Sequence, residues 1–153
     1  NSKGQSKGIW KPSSEWRFHF DILNSRKEFN AVIHNHPAYG SGMSILRKDI
    51  KAYHYMIGFM GGDTIRCSEF APPGSQELSN TAIKALKGRK ACLLANHGTI
   101  TCGKDLDEAL FLSEEFEILC KQITIAKING KPHLVERKFM KKIIEAIKTY
   151  GKY

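Results

Sequence analysis

Short apolar runs alternate along this chain with longer segments of helical periodicity, and this alternation restricts the folds that the chain can adopt. The short runs are rich in β-branched or apolar residues and predict strands at residues 30–36, 64–67, 91–95 and 99–102. Helical periodicity or helix-start residues predict helices at residues 12–24, 37–46, 75–87, 105–128 and 136–150. Strands mixed with helices, without repeats or long linkers, predict one α/β or α+β domain, which suits a length of 153 residues.

The net charge of +9 comes mainly from the end of the chain. Residues 121–153 contain nine Lys or Arg and two acidic residues, so residues 1–120 carry only +2. No aromatic-interleaved basic groove accompanies that charge, which argues against a nucleic-acid partner. A hydrophobic fraction of 41% excludes a wholly disordered chain, and no apolar run approaches the ~18 residues of a membrane span. We expect neither nucleic acid nor membrane as a partner.

The cysteines indicate a reducing compartment. Cys67, Cys92, Cys102 and Cys120 form no CxxC pair, so a thiolate zinc site or a thioredoxin-type motif is not expected. Two of them lie in apolar runs, where a free cysteine behaves as a small buried hydrophobic residue. Disulfides remain possible by count, but a chain of this length can build a core without them, so we expect a reducing, cytoplasmic setting.

The spacing of three histidines is typical of metal ligands. His34 and His36 are two residues apart on a predicted strand, so both imidazoles face the same side. His97 ends a second apolar run, and Gly98 after it permits close backbone approach. Three neutral imidazoles with one open position are typical of catalytic zinc, although an HxH pair alone also arises by chance. We expect structural or surface roles for the other histidines, His19, His54 and His133.

The segment that begins the first predicted helix allows two interpretations. Glu15 in a first helical turn and hydroxyls at Ser13 and Ser14 are ordinary features of a helix N-terminus. The same residues could bind a phosphate at the helix N-terminus and supply a base next to a metal. Spacing alone favours the structural interpretation.

Several longer motifs stand in a characteristic order along the chain: PSSEWRFHF, AVIHNHP, HYMIGFMGGDTIRC, ELSNTAIKALKGRKACLLANHGTI and DLDEALFLSEEFEILCKQ. Together they resemble class II aldolases of the aldolase/adducin family, most of all its members that cleave fuculose 1-phosphate. The resemblance runs from about Gly8 to Leu119, and weakly over residues 149–151.

The resemblance implies a fold, an assembly and a reaction. The expected fold is a single three-layer α/β/α domain around a mixed, largely antiparallel sheet. The expected assembly is a homotetramer with zinc sites near subunit interfaces. The expected reaction is the reversible, zinc-dependent cleavage of a phosphorylated sugar, a ketose 1-phosphate of the fuculose 1-phosphate type. Its products would be dihydroxyacetone phosphate and an aldehyde, formed through an enediolate.

The resemblance also assigns the residues of the metal site. His34, His36 and His97 match the family's zinc ligands, and Glu15 matches the catalytic base that takes a proton from carbon. Because zinc would stabilise the enediolate, this chemistry needs no Schiff-base lysine.

Four further residues match substrate-handling positions of the family. Ser13 and Ser14 match positions that bind the substrate phosphate. Tyr55 matches a tyrosine that reaches the site of a neighbouring subunit and protonates the aldehyde oxygen. Tyr150 matches a C-terminal tyrosine that closes over the active site.

Two features depart from the family pattern. Relatives have an N-terminal helix, strands and phosphate-binding loops before the SSEW motif, and the chain begins too late to contain them. We therefore expect a single class II aldolase-like domain over residues 1–153 that is truncated at its N-terminus. Either the missing parts are encoded upstream of Asn1 or the site is incomplete, and in both cases we expect the 153-residue chain alone to be inactive or poorly folded. Pro72 and Pro73 also replace a Thr-Phe-Gly stretch near the aldehyde pocket, which leaves the aldehyde open.

Two alternatives come from the same family. Pentulose-phosphate 4-epimerases share the three histidines but usually have Asp where Glu15 stands. Adducin-like relatives use the fold as a binding module without catalysis and tend to lose the ligands, which this chain retains. Both alternatives rank below the aldolase.

Overall fold

The elements of the fold are those of a computed structural model that describes Lys3 and residues 5–150. The helices are α1 (Trp16–Ser25), α2 (Ala38–Ile45), α3 (Gln76–Leu86), α4 (Leu106–Asn129) and α5 (Arg137–Ile147). The strands are β1 (Ala31–Asn35), β2 (Ile50–Lys51), β3 (Thr64–Cys67), β4 (Ala91–Leu94) and β5 (Gly98–Gly103). A 3₁₀ helix, Tyr55–Met60, follows β2. None of the helices in these described ranges combines the length and hydropathy needed to cross a bilayer.

The strands form one mixed sheet in the order β1-β5-β4-β3-β2. Within the described chain, β3 and β4 pair in parallel and the other three pairings are antiparallel. In the β1–β5 pair, His34 lies opposite Ile100 and Asn35 lies opposite Thr99. The last residues of β1 therefore lie beside the first residues of β5.

The sheet separates two hydrophobic clusters. Alternate residues of a strand face opposite sides, and the fully buried β4 shows this directly. Cys92 and Leu94 pack in a cluster with α1 and α3, whereas Ala91 and Leu93 pack in a cluster with α2 and α4. The expected three-layer α/β/α arrangement, with a largely antiparallel sheet, is confirmed.

Local capping explains where two of the helices begin. The Ser75 hydroxyl accepts a hydrogen bond from the Leu78 amide at the start of α3, at 3.0 Å. The Asp105 carboxylate accepts from the Glu108 amide at the start of α4, at 2.8 Å. The start of α1 differs from its prediction. Glu15 is the N-cap residue rather than part of the first turn, and α1 has no side-chain cap.

Two other segments differ from the pattern in the sequence. For residues 51–60 the sequence predicted neither helix nor strand. Lys51 ends β2 and Tyr55–Met60 form the 3₁₀ helix, at whose start the His54 imidazole accepts a hydrogen bond from the Met56 amide. The last helix ends at Ile147 instead of Tyr150. Its final amides, including that of Tyr150, bond three residues back, so the chain tightens and leaves the α-helical period.

The start of α2, immediately after His36 and Pro37, is stabilised from another element. The Glu117 carboxylate on α4 accepts hydrogen bonds from the amides of Tyr39 and Gly40, at 2.9 and 2.8 Å. A carboxylate at a helix N-terminus also interacts favourably with the helix dipole. This contact joins α2 to α4 next to the end of β1.

We predict that Glu117→Ala lowers the free energy of unfolding by about 1–3 kcal/mol, because two first-turn amides lose a charged acceptor. Urea unfolding followed by circular dichroism measures the change. Glu114→Ala, at an exposed position of the same helix, is the matched control and should stay within about 0.5 kcal/mol of the wild type. Equal stability of the two variants would refute a stabilising role for the Glu117 contact.

Candidate metal centre

The three histidines of the sequence pattern meet at one end of the sheet. His34 is in β1 and His36 directly follows it, while His97 lies in the turn between β4 and β5. Because β1 and β5 are antiparallel, the end of β1 and the turn before β5 are neighbours. Glu15 joins them from the N-terminus of α1.

The ligand atoms of these four residues lie within 4.8 Å of one another. Glu15 Oε2 is 2.9 Å from His34 Nε2 and 3.4 Å from His97 Nε2. The Nε2 atoms of His34 and His36 are 3.0 Å apart. Donors in a tetrahedral zinc site, at 2.0–2.1 Å from the metal, are about 3.3 Å from one another. The separations therefore suit a small divalent cation.

The hydrogen bond on the far side of His34 determines which of its nitrogens can bind metal. His34 Nδ1 lies 3.0 Å from the Thr99 carbonyl oxygen. A carbonyl only accepts, so Nδ1 carries the proton and a neutral ring presents the Nε2 lone pair. That lone pair faces the Glu15 carboxylate, which is also an acceptor. Two facing acceptors repel each other unless a positive charge lies between them, and a metal ion would supply that charge.

Two polar atoms of the cluster are buried without a partner in the described part of the chain. They are Glu15 Oε1 and His97 Nδ1. Burying such atoms without a partner is unfavourable, so their presence fits a site that takes a ligand. The residues present therefore fit a metal ion.

Burial keeps His97 in the form that binds metal. Desolvation lowers the pKa of His97 below its ordinary value of 6.5, the Glu15 carboxylate opposes this shift, and His34 and His36 add to it. The imidazole is consequently neutral at pH 7, with a lone pair available for a cation.

The cysteines do not belong to this centre. All four are free thiols. Burial raises the pKa of Cys67 to about 11 and the pKa values of Cys102 and Cys120 to about 12. The pKa of Cys92 is also raised well above its ordinary value by burial. Thiols that stay protonated at neutral pH are poor ligands and poor nucleophiles.

Gly98 permits the close approach of the two histidine-bearing segments, as its position in the sequence predicted. A Cβ at residue 98 would overlap the Asn35 carbonyl oxygen and lie 2.7 Å from Cδ2 of His36. A side chain at this position would therefore separate β5 from the end of β1.

The centre is closed on one side and open on the other. The side chains of Glu15, His34 and His97 are only 10%, 9% and 11% exposed. His36 is exposed. A small molecule can therefore reach the cluster on the His36 side.

The serines before Glu15 lie beside the centre, at the exposed start of α1. The Ser13 hydroxyl accepts from the Glu15 amide at 3.1 Å. The Ser14 carbonyl packs against Gly74, 3.0 Å from where a Cβ would be. The loop containing Pro72 and Pro73 thus contacts the segment that carries Glu15.

The two tyrosines named by the resemblance lie elsewhere, on an apolar cleft of about 460 Å³. Tyr55 and Tyr150 are 50% and 76% exposed and line it together with Phe59 and Phe111. Phe59 packs edge-on against both Phe111 and Tyr150. No described contact joins either tyrosine to the histidine cluster of the same chain. Their role in a neighbouring subunit's site stays a prediction, and Gly151, next to Tyr150, lies outside the described residues.

The pattern in the sequence did not reveal Thr99 as the residue that orients His34. Thr99 contacts His34 through its main-chain carbonyl, which every residue type has, so the identity of residue 99 does not indicate this contact. Only the β1–β5 register, which places Asn35 opposite Thr99, could have identified it.

We predict that the protein binds about one zinc ion per chain and that His97→Ala weakens this binding at least about 100-fold, because a ligand is lost. Competition titration against a chelator measures the affinity. His133→Ala removes an exposed histidine far from the cluster in sequence and should bind zinc as the wild type does. A folded wild type with no bound zinc would contradict the assignment.

We predict that Gly98→Ala is destabilised by about 1–3 kcal/mol and binds zinc more weakly, because its Cβ forces β5 away from His36. Thermal unfolding and zinc titration measure both effects. At Gly42 an added Cβ meets nothing within 4 Å, so Gly42→Ala should be neutral or more stable by up to about 1 kcal/mol. Wild-type behaviour of Gly98→Ala would show that the close approach is not required.

Known proteins are similar to this chain in both sequence and structure. Residues 2–124 match the model of the family described as the class II aldolase and adducin N-terminal domain. The 5-methylthioribulose-1-phosphate/5-deoxyribulose-1-phosphate aldolase of Rhodospirillum rubrum is 42% identical over 151 residues, which are 99% of this chain and 68% of that protein. The L-fuculose phosphate aldolase of Escherichia coli K12 is 43% identical over 141 residues, which are 92% of this chain and 66% of that protein.

A solved structure titled L-fuculose 1-phosphate aldolase superposes with a TM-score of 0.89 at 36% identity, over 94% of this chain and 67% of the other. The chain thus spans about two thirds of the length of the curated relatives it matches. With its mixed sheet, its histidine cluster and these relatives, the chain belongs to the class II aldolase/adducin family.

Proposed function

We propose that this protein is a metal-dependent aldolase that reversibly cleaves a ketose 1-phosphate into dihydroxyacetone phosphate and an aldehyde. The observation that carries the proposal is the convergence of His34, His36, His97 and Glu15 at one partly open point of the sheet. Relatives at 42% and 43% identity are named as aldolases of phosphorylated ketoses. Zinc is the proposed metal because three imidazoles with one open position are a donor set typical of catalytic zinc.

A bound divalent metal would act as a Lewis acid that stabilises negative charge on substrate oxygens. Glu15 supplies the proton chemistry next to it. In cleavage, the bond between carbons 3 and 4 of the ketose breaks, its electron pair stays with the dihydroxyacetone phosphate half, and Glu15 donates a proton to that carbon. In condensation the carboxylate removes the same proton. The buried carboxylate, with one unpartnered oxygen, is suited to this exchange.

The start of α1 is the proposed contact for the substrate phosphate. Ser13 and Ser14 are exposed next to Glu15, and α1 has no side-chain cap. Hydroxyls at a helix N-terminus favour a phosphate, because the helix dipole and free amides attract an anion. A phosphate there would place the adjacent carbons of the substrate near Glu15.

The tyrosines are proposed to act between subunits of a homotetramer. Tyr55 and Tyr150 lie on an apolar cleft separate from the histidines of their own chain. In the proposed tetramer, Tyr55 of one copy exchanges the proton on the aldehyde oxygen in the site of a neighbour, and Tyr150 closes that site. Exposed apolar side chains along α4, such as Leu110, Ile118 and Ile125, support burial against other copies.

The aldehyde half of the substrate is proposed to depend on the loop that contains Pro72 and Pro73. This loop packs beside Ser14, so it lies close to the site. The relatives differ in the sugar they are named for, with fuculose and 5-substituted ribulose 1-phosphates among them. The proposal therefore commits to a ketose 1-phosphate, and a substrate panel identifies the aldehyde.

We predict that Glu15→Gln lowers kcat for ketose 1-phosphate cleavage about 10²- to 10⁴-fold, because the amide cannot exchange a proton with carbon. The release of dihydroxyacetone phosphate is measured for the 1-phosphates of fuculose, 5-deoxyribulose and 5-methylthioribulose. Zinc affinity should change less than about tenfold, since the three imidazoles remain. Full turnover by Glu15→Gln would contradict the role of Glu15.

The same preparations are assayed for epimerisation of ribulose 5-phosphate. Epimerisation without cleavage of any 1-phosphate would replace the aldolase proposal by the epimerase alternative. Zinc binding without either reaction would favour a binding module.

A further inference from the structure

We infer that Ser44 is a positioning residue whose hydroxyl and carbonyl orient the turn that carries His97. The inference rests on the metal site of the proposed function. Ser44 is the penultimate residue of α2 and is fully buried. It lies 53 residues from His97 in the chain and is not part of the motifs that indicate the metal site.

Two amides of the turn between β4 and β5 donate hydrogen bonds to Ser44, and the His97 amide is shared between Ser44 and the Leu94 carbonyl. The Asn96 amide donates to the Ser44 carbonyl at 3.2 Å, and the His97 amide donates to the Ser44 hydroxyl at 3.2 Å. The Ser44 hydroxyl donates its single proton to the Ser41 carbonyl, at 2.7 Å. Its lone pairs therefore face His97, and one buried residue binds both amides of the turn.

This turn depends on such support because its backbone conformation is uncommon. Asn96 has φ of +54°, at the third position of a turn closed by a hydrogen bond from the His97 amide to the Leu94 carbonyl. Left-handed residues other than glycine are less stable and persist where their surroundings determine them. The two bonds from Ser44 are part of those surroundings.

A second contact from the end of α2 reaches the same turn. Arg47 Nε donates to the Asn96 side-chain oxygen at 2.5 Å, and its guanidinium lies 5.3 Å from the Phe70 ring centre. Arg47 is also left-handed, with φ of +51°, and its amide donates to the Ser44 carbonyl at 3.1 Å. The end of α2 thus contacts both the main chain and a side chain of the turn.

His97 needs this backbone support more than His34 does. The His34 ring is oriented by its own bond to the Thr99 carbonyl. The His97 ring has no such bond, since its Nδ1 is buried without a partner among the residues described. Its position is therefore determined mainly by its main chain, whose amide is bound to Ser44. Supporting contacts of this kind affect metal affinity although they do not touch the metal.

The test compares two serine-to-alanine changes on the same helix. Ser44→Ala removes one of the two acceptors of the His97 amide and leaves the Leu94 carbonyl. Ser41→Ala removes a buried hydroxyl that has no partner in the described structure and keeps the carbonyl that Ser44 uses. Zinc affinity is measured in the full chain by chelator competition. We expect Ser44→Ala to bind about tenfold more weakly and Ser41→Ala to stay within about twofold of the wild type. Equal affinities in the two variants would overturn the inference.

Cobalt(II) supplies a readout that a loss of stability alone would not change. Cobalt bound in place of zinc has a visible spectrum that depends on ligand geometry. We expect an altered spectrum in Ser44→Ala, at temperatures where the metal-free variant is folded, and a wild-type spectrum in Ser41→Ala. A wild-type spectrum in both variants would count against a positioning role.

Arg47→Ala decides the matter if Ser44→Ala does not fold, because Arg47 is exposed and its loss should not unfold the chain. We expect a smaller loss of zinc affinity, roughly threefold, since this contact is one step further from His97. Wild-type affinity in Arg47→Ala would then count against support of this turn by the end of α2. Because these readouts do not use turnover, a protein that binds zinc yet cleaves no ketose 1-phosphate would refute the proposed function alone.

Discussion

The backbone hydrogen bonds between β1 and β5 run in an antiparallel register that brings the last residues of β1 against the first residues of β5. The arrangement of the three histidines of the candidate metal centre depends on this pairing. It places His34 and His36 beside the turn that carries His97, and it aligns the Thr99 carbonyl with the His34 ring. A shift of one residue would turn both imidazoles to the opposite face of the sheet.

Glu15 reaches the histidines because α1 and β1 have similar lengths. α1 contains ten residues and rises about 15 Å, and β1 contains five residues and spans about 16 Å. The chain runs along α1, turns, and returns along β1, so the start of the helix comes back to the level of the end of the strand. Glu15 therefore reaches His34 although 19 residues separate them.

Without a cation, some groups of the centre repel each other and others lack hydrogen-bond partners. The packing of the surrounding elements offsets this local loss of stability. An acceptor pair at 2.9 Å, two unpartnered buried atoms and two left-handed residues lie in or next to it. These features lower stability locally and persist because packed elements determine them. The Glu117 contact to α2, the close approach at Gly98 and the bonds from Ser44 are the connections that keep these segments in place.

The sequence by itself determined the type and approximate bounds of most elements, because periods of 2 and 3.6 residues are local properties of the chain. The sequence also identified His34 and His36 as candidate metal ligands, since two histidines at alternate positions of a strand share a face whatever surrounds them. Spacing alone favoured a structural role for Glu15, and residues 51–60 fitted neither period. Only the tertiary structure decided that Glu15 faces the histidines, that Ser44 and Thr99 support two of them, and that Tyr55 and Tyr150 lie on a separate cleft. Ser44 and Thr99 contact residues 53 and 65 positions away, and no local pattern records contacts that form only when α2, β1 and β5 pack together.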